Sequence, residues 1–461
     1  MAEDRDQPPR RHPGFLKRRA GNLALAVLIL AASALAGAAD WIVDDNGPAD
    51  FTKIQDAVNA FYVQPGDTIL VKPGLYLETL YLGSKDLVIR SEGGPFATIL
   101  DAQEMGSAVS LIGRTSATRI EGLTIRNGRD QTGGGVYIYG GGPVLTRNVI
   151  TGNSAAGGYL GYGYGGGIEV YGSAAVITHN VIQGNTALDG GGGIDVYYAG
   201  PSTPGSCCPL IVQNTILGNR VTSPTGLGGG ILVAASEPRV DSCVVSGNAA
   251  AAGGGLYVEK ITGIPDSPDV ATSIFYSNTP GDTDGSGSFR LPASNRHTDP
   301  RLGPGIWMNW WPRSDSPALD SGGTGLPAGA DLTGLPTAAD SDLDGAAGAD
   351  VGAVENRGEI TGLLLASDPG WPVGAILSWD GSVNQAVVFN VYASDGDPFR
   401  SGDGFCLAAG LQAPTLEDLS SPPAGSARYY LVTGRDGVEG STGLRSDGIP
   451  RPAILAACPP P

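Results

Sequence analysis

Histidine is nearly missing from this sequence, with three in 461 residues. His12, His179 and His297 form no cluster, and zinc-ligand spacings and serine-nucleophile motifs are missing too. Basic side chains are few: 28 Lys and Arg stand against 46 Asp and Glu, a net charge of −18. Such a surface repels nucleic acid, anionic lipid and bare polyuronate, so a polyanionic ligand would need a bridging cation. Only five cysteines are present. Cys406 and Cys458 are the expected bridge in an oxidising compartment, and Cys243 reads as a small buried residue. Beyond the first forty residues no apolar run is long enough to cross a membrane.

That first stretch has the layout of an export signal. Arg10, Arg11, Lys17, Arg18 and Arg19 precede an apolar run from Leu23 to Leu35, and Ala34-Leu35-Ala36 offers a small-x-small cleavage site. A signal peptide over residues 1–39 predicts a secreted or cell-surface protein that does not span the membrane after cleavage. Cleavage would remove six basic and three acidic side chains and leave the remainder still more acidic.

Glycine, by contrast, is abundant, at 73 residues, and it is ordered. A triple glycine followed by a β-rich word recurs at Gly133–Ile138, Gly165–Val170, Gly191–Val196, Gly228–Val233 and Gly253–Val258. Between these words runs a second, in which Leu145, Ile177, Ile211, Val240 and Val270 form one apolar column. Ile150, Ile182, Ile216, Val245 and Phe275 form another, and Asn153, Asn185, Asn219, Asn248 and Asn278 a third. Equivalent positions step by 32, 34, 29 and 30 residues, which suits one full coil of a parallel β-helix with a loop of variable length. The asparagine column predicts side-chain amides bonded along the stack, satisfying turn backbone.

These words, with Phe51-Thr52-Lys53-Ile54-Gln55-Asp56-Ala57, Pro65-Gly66-Asp67-Thr68 and Pro73-Gly74-Leu75-Tyr76, resemble the right-handed parallel β-helix proteins, the superfamily of pectate lyases and polygalacturonases. The fold class implied is all-β: a solenoid over residues 40–310. An amphipathic helix carrying Phe51, Ile54, Ala57, Val58 and Phe61 on one face would cap its N-terminal end. Ser316-Pro317-Ala318-Leu319-Asp320-Ser321-Gly322 and Asp350-Val351-Gly352-Ala353-Val354-Glu355 resemble the choice-of-anchor Q segment, so residues 311–358 are expected to close the far end. Residues 359–461 resemble a fibronectin type III-like sandwich, with strands at 375–380, 387–392 and 428–432 and with Trp379 and Tyr392 as core aromatics.

Strand alternation supplies the candidate site. If the residue after each triple glycine points inward, the next points outward, giving an exposed ribbon of Tyr137 with Tyr139, Glu169 with Tyr171, Asp195 with Tyr197, Leu232 with Ala234, and Tyr257 with Glu259. Glu169 and Asp195 would be adjacent carboxylates, able to act as the acid and the base or nucleophile of glycoside hydrolysis, or to hold Ca²⁺. Tyr137, Tyr139, Tyr171 and Tyr197 would offer faces to sugar rings. Arg147 and His179, in one column on successive coils, are the basic candidates for a lyase, although no aligned acidic cluster accompanies them; surface decoration is the plainer reading. Asp340, Asp342 and Asp344 have D-x-D-x-D-G calcium-loop spacing, but Val351 stands where the bidentate Glu belongs. The overall expectation is an exported scaffold that interacts with a polysaccharide or cell-surface glycan. The alternative is a polysaccharide lyase or glycoside hydrolase on the outward face.

Overall fold

The computed structural model describes residues 38–156, 161–199, 208–263, 267–286 and 291–302, short pieces between 312 and 353, and the backbone of six strands from 364 onward. The signal-peptide stretch and Asp340, Asp342 and Asp344 lie outside the described residues.

The chain winds into a parallel β-solenoid with three long sheets and one short one. The first sheet has nine strands, from Asp40–Val43 to Asp269–Ala271. The second has eight, from Gly74–Leu77 to Ile274–Tyr276, and the third eight, from Leu80–Tyr81 to Thr283–Gly285. A fourth, of two-residue strands, stacks Arg129–Asp130, Ser154–Ala155, Thr186–Ala187 and Arg220–Val221. Every solenoid pairing is parallel and in register, which places each apolar column of the sequence in one row: Leu145, Ile177, Ile211, Val240 and Val270 on the first sheet, and Ile150, Ile182, Ile216, Val245 and Phe275 on the second. All of them are buried. Full burial of side chains this size stabilises by about 1.5–3 kcal/mol each, so the repeated columns are the main source of stability.

The asparagine column forms the expected ladder. Asn219 Nδ2 donates to Ile182 O at 2.9 Å and to Asn248 Oδ1 at 3.0 Å, while its own Oδ1 accepts from Asn185 N and Nδ2, both at 3.0 Å. Asn153, Asn185 and Asn248 repeat the pattern, and Asp282 Oδ1 ends it by accepting from Asn278 Nδ2 at 2.8 Å. This ladder explains the last glycine of each word. A Cβ on Gly135, Gly167, Gly193, Gly230 or Gly255 would fall 2.8–3.0 Å from the amide nitrogen of Asn153, Asn185, Asn219, Asn248 or Asn278 respectively. The first glycine of each word has a positive φ, 56–66°, which L side chains rarely adopt.

A second ladder runs inside the turn joining the first and second sheets. Asn148, Asn180 and Asn214 bond along the stack, and Cys243 and Ser273 continue the row to Asn295. Cys243 is buried and donates its thiol to Ile211 O at 3.4 Å, where the asparagines donate an amide. Burial is the largest influence pushing that thiol up to about 12, so it resists alkylation in the native state. Cys243→Asn is expected to complete the ladder and raise stability by about 0.5–1.5 kcal/mol, measured as a shift in denaturant midpoint. Cys208 is disulfide-bonded. The expected Cys406–Cys458 pair lies outside the described side chains.

Three placements differ from expectation. The helix spans only Ile54–Asn59 and buries Ile54, Ala57 and Val58. Ala60 turns extended after it, so Phe61 leaves the helical face and is 85% exposed. Phe61 instead joins an aromatic cluster with Tyr62, Trp41 and Phe51 at the N-terminal end. Secondly, the described residues of the segment at 312–353 lie along the outer flank of the second sheet. Ala318 and Val351 pack on Val244 and Ile274, while Leu332 and Ala353 pack on Val149 and Val181. Gly352 N and Gly323 N donate to Ser242 O and Oγ, at 2.9 and 2.7 Å. The physical reason lies in the second sheet itself, whose outward positions Val149, Val181, Val244 and Ile274 are apolar and need cover. Thirdly, Arg147 and His179 are not surface decoration. Arg147 pairs with Glu121 at 2.9 Å, and His179 is buried with its ring Nδ1 2.8 Å from Thr178 Oγ1.

Beyond residue 364, Leu364–Ser367, Ala375–Ser378 and Thr415–Asp418 form one antiparallel sheet, and Phe405–Leu411, Val388–Ser394 and Tyr429–Arg435 another. No described helix is long and apolar enough to cross a membrane.

Candidate functional site: the outer face of the third sheet

The third sheet sets two outward columns side by side. In the first, Tyr81, Ser110, Tyr137, Glu169, Asp195, Leu232, Tyr257 and Asp284 follow one another strand by strand. In the second, Ile112, Tyr139, Tyr171, Tyr197, Ala234 and Glu259 do the same. The structure therefore brings together all six residues singled out on this face, on three consecutive coils about 4.8 Å apart.

Their exposure departs from expectation. Glu169 and Asp195 are each 3% exposed, whereas Tyr139 is 48% exposed. The glycine words themselves cover the acids. A Cβ on Gly165 would fall 2.8 Å from Glu169 Cα, and one on Gly191 would fall 2.6 Å from Asp195 Cβ, so the preceding backbone folds back onto each carboxyl stem. Tyr164, bridged to Thr132 and Gly190 in the turn, adds its ring to the cover: a Cβ on Gly190 would meet both Tyr164 Cδ1 and Leu232 Cδ2. Alternation correctly placed the acids outside the coil, but being outside the coil is not the same as being in water.

Glu169 and Asp195 are paired across adjacent strands and each perturbs the other, and Glu169 Oε2 and Asp195 Oδ1 are buried without a hydrogen-bond partner. Burial raises both acids, Glu169 well above the usual carboxylate range and Asp195 to about 7, because a buried charge lacks solvation and no cation replaces it. The Asp195 charge pushes Glu169 further, and Glu259 pushes Asp195. Both acids therefore hold a proton more tightly than free carboxyls do. Tyr164 is also raised, by burial first and then by Asp189, Asp195, Glu259 and Glu169.

The tyrosines form a ladder of their own. Tyr139 and Tyr171 stack with centroids 5.2 Å apart and planes 15° from parallel. Tyr197 lies 5.5 Å beyond Tyr171 at 57°, and Tyr198 stands edge-on to Tyr197 at 4.6 Å. Tyr137 is tilted against Tyr139 at 6.5 Å. Sequence reasoning placed Glu259 on this ribbon with Tyr257, and missed Tyr164, Tyr198 and Asp189 as neighbours. Extending each glycine word one residue to the left would have found Tyr164, since Thr132, Tyr164, Gly190, Leu227 and Ala252 are in register there.

Among the described residues, no group of three or more His, Cys, Asp or Glu is arranged to hold a metal. His179 is far from this face, in the turn between the first two sheets, and burial, then Arg147, lowers it to about 4. A lyase base there would have no carboxylate pair beside it.

With this geometry in place, residues 97–279 match the family described as right handed beta helix region. The matched stretch lies within the parallel β-solenoid. A cell surface glycoprotein of Methanothermus fervidus is 30% identical over 142 residues, which are 31% of this chain and 22% of that protein. The matched part of the chain thus spans under a quarter of that relative's length. Among solved structures, the pectin methylesterase of Aspergillus niger is similar at 14% identity and a TM-score of 0.28, over 57% of this chain and 91% of that one. Pectin methylesterase PemA of Erwinia chrysanthemi is similar at 12% identity and a TM-score of 0.31, over 60% and 98%. Likeness at that level says nothing of the chemistry of this solenoid.

Proposed function

We propose that this protein is an exported β-helix scaffold whose third-sheet face binds carbohydrate at the cell surface or outside the cell. The observation that carries the reading is the in-register row of Tyr139, Tyr171 and Tyr197, partly exposed on an otherwise regular strand face. An aromatic row with polar tips is suited to sugars, which present both apolar ring surfaces and hydroxyls. The relative described as a cell surface glycoprotein agrees with an extracellular setting, as does the signal-like first stretch. In this reading the short helix at Ile54–Asn59 covers the first coil, and the two antiparallel sheets beyond residue 364 pair as a fibronectin type III-like sandwich.

The alternative is catalysis by Glu169 and Asp195. Their raised proton affinity favours it, as one acid would stay protonated near neutrality. Their burial opposes it: Glu169 and Asp195 are each 3% exposed, so neither carboxyl is open to a substrate lying on this face. Elimination needs a basic residue, and the strands of this sheet supply none.

Incubating the purified protein with a panel of polysaccharides separates these readings. The expected result is retention without new reducing ends and without the absorbance of an unsaturated product. Reducing ends or unsaturated product would establish catalysis, and the loss of all three signals would remove the carbohydrate reading. A calcium loop at Asp340, Asp342 and Asp344 is a separate proposal; it predicts a lower melting temperature in chelator, and an unchanged midpoint rejects it.

A further inference from the structure

Resting on the carbohydrate reading above, we infer that the ligand is an uncharged glycan read by the row of tyrosine hydroxyls, not by the faces of the rings. Two observations carry this.

The first is how the rings are turned. Side chains on a strand stand roughly perpendicular to the sheet, so the ring of each tyrosine projects outward with its hydroxyl at the far end. Tyr139 and Tyr171 lie 5.2 Å apart and 15° from parallel, closer than two rings can lie side by side, so a face of each is against the other. On its other side Tyr171 meets Tyr197 at 5.5 Å and Tyr198 at 6.1 Å. Both faces of Tyr171 are therefore turned to neighbouring tyrosines. Tyr171 thus presents its ring edge and phenol oxygen to solvent, in a tyrosine column that repeats at the coil spacing of about 4.8 Å. A row of groups that both donate and accept hydrogen bonds matches a hydroxyl-bearing polymer lying along the solenoid axis. Burial, with Tyr198 and Tyr171 adding to it, raises Tyr197, so its phenol stays protonated through neutral pH.

The second observation is charge. The eight strands of this sheet hold no Lys, Arg or His; Glu259 and Asp284 are the acids that reach solvent, while Glu169 and Asp195 are buried and hold protons more tightly than free carboxyls. Basic residues at the strand ends are few: Arg114 lies 3.5 Å from Asp86, and Lys260 is exposed just after the strand Leu256–Glu259. A polyuronate or sulfated glycan on this face would meet acids on the strands and no base on them. Discrimination against anionic polymers is built into the face as repulsion, alongside whatever attraction the hydroxyls supply.

Affinity electrophoresis in chelator tests this, using a neutral β-glucan, a neutral mannan and polygalacturonate as probes. The wild type is expected to be retarded by a neutral polymer and not by polygalacturonate. The triple variant Tyr139→Phe, Tyr171→Phe and Tyr197→Phe keeps the stacked rings and loses only the hydroxyls. It is expected to bind the retained polymer about tenfold or more weakly, as the loss of several hydrogen bonds requires. Undiminished binding by the triple variant would overturn hydroxyl readout, and retardation by polygalacturonate in chelator would overturn the charge argument. If the wild type were retarded by none of the three, the carbohydrate reading would fall with this one; binding of a neutral polymer by both proteins would sink this inference alone.

Discussion

Asn219→Ala is expected to lower the melting temperature by about 10 °C. Asn219 is buried in mid-ladder, and its side chain donates to Ile182 O and Asn248 Oδ1 while accepting from Asn185 N and Nδ2. Alanine would strand at least the Ile182 carbonyl and the Asn185 donors away from water. Each stranded group costs about 1–3 kcal/mol, so the total is on the order of 3–5 kcal/mol, and for a cooperative unit of this size each kcal/mol is worth about 2–4 °C. Differential scanning calorimetry measures it. A change of only a degree or two would mean that water replaces the amide and that the ladder is a consequence of stacking, not a support for it.

Glu169→Gln is expected to change the slope of stability against pH. Because burial raises Glu169 and Asp195 in the folded state, the native protein binds protons that the unfolded chain has already lost. Stability contributed by the protonated pair is therefore full below the ordinary carboxylate range, falls as pH rises from about 4, and for Asp195 is gone above its folded value of about 7. Three units at about 1.4 kcal/mol each make this loss on the order of 4 kcal/mol for Asp195. Glutamine at position 169 removes the competing charge and can donate an amide hydrogen to the Asp195 carboxylate. The variant should then gain on the wild type steadily between pH 5 and 8 in urea midpoints. Parallel curves for the two proteins would mean that the pair is solvated or already neutralised by another group.

The coil was legible because every feature that builds it repeats. Five asparagines and five triple glycines at one period announce a column each, and alternation places the neighbours of Ile168 and Ile194 on the outer face. The burial of Glu169 and Asp195 was hidden because it comes from the glycine backbone and Tyr164 folding back over them, a tertiary closure that has no periodic signature. The turned rings were hidden for the same reason: a tyrosine column in the sequence is compatible with faces offered to solvent or to one another, and only the 15° between Tyr139 and Tyr171 decides it. Phe61 misled because the 3.6-residue period was extended two residues past the helix end at Asn59. The Ser316-to-Ala353 pieces read as a terminal closure because they follow the last coil. The unfilled apolar positions on the second sheet, from Val149 to Ile274, were the signal that they lie along the flank.

Side-chain footprinting of tyrosines with and without a saturating neutral polysaccharide tests the central claim most directly. Binding on the third-sheet face predicts protection of Tyr139, Tyr171 and Tyr197, with Tyr62 in the N-terminal aromatic cluster modified equally in both samples. Protection of Tyr62 with Tyr139, Tyr171 and Tyr197 unchanged would contradict it, and would move the binding surface to the cluster of Trp41, Phe51, Phe61 and Tyr62.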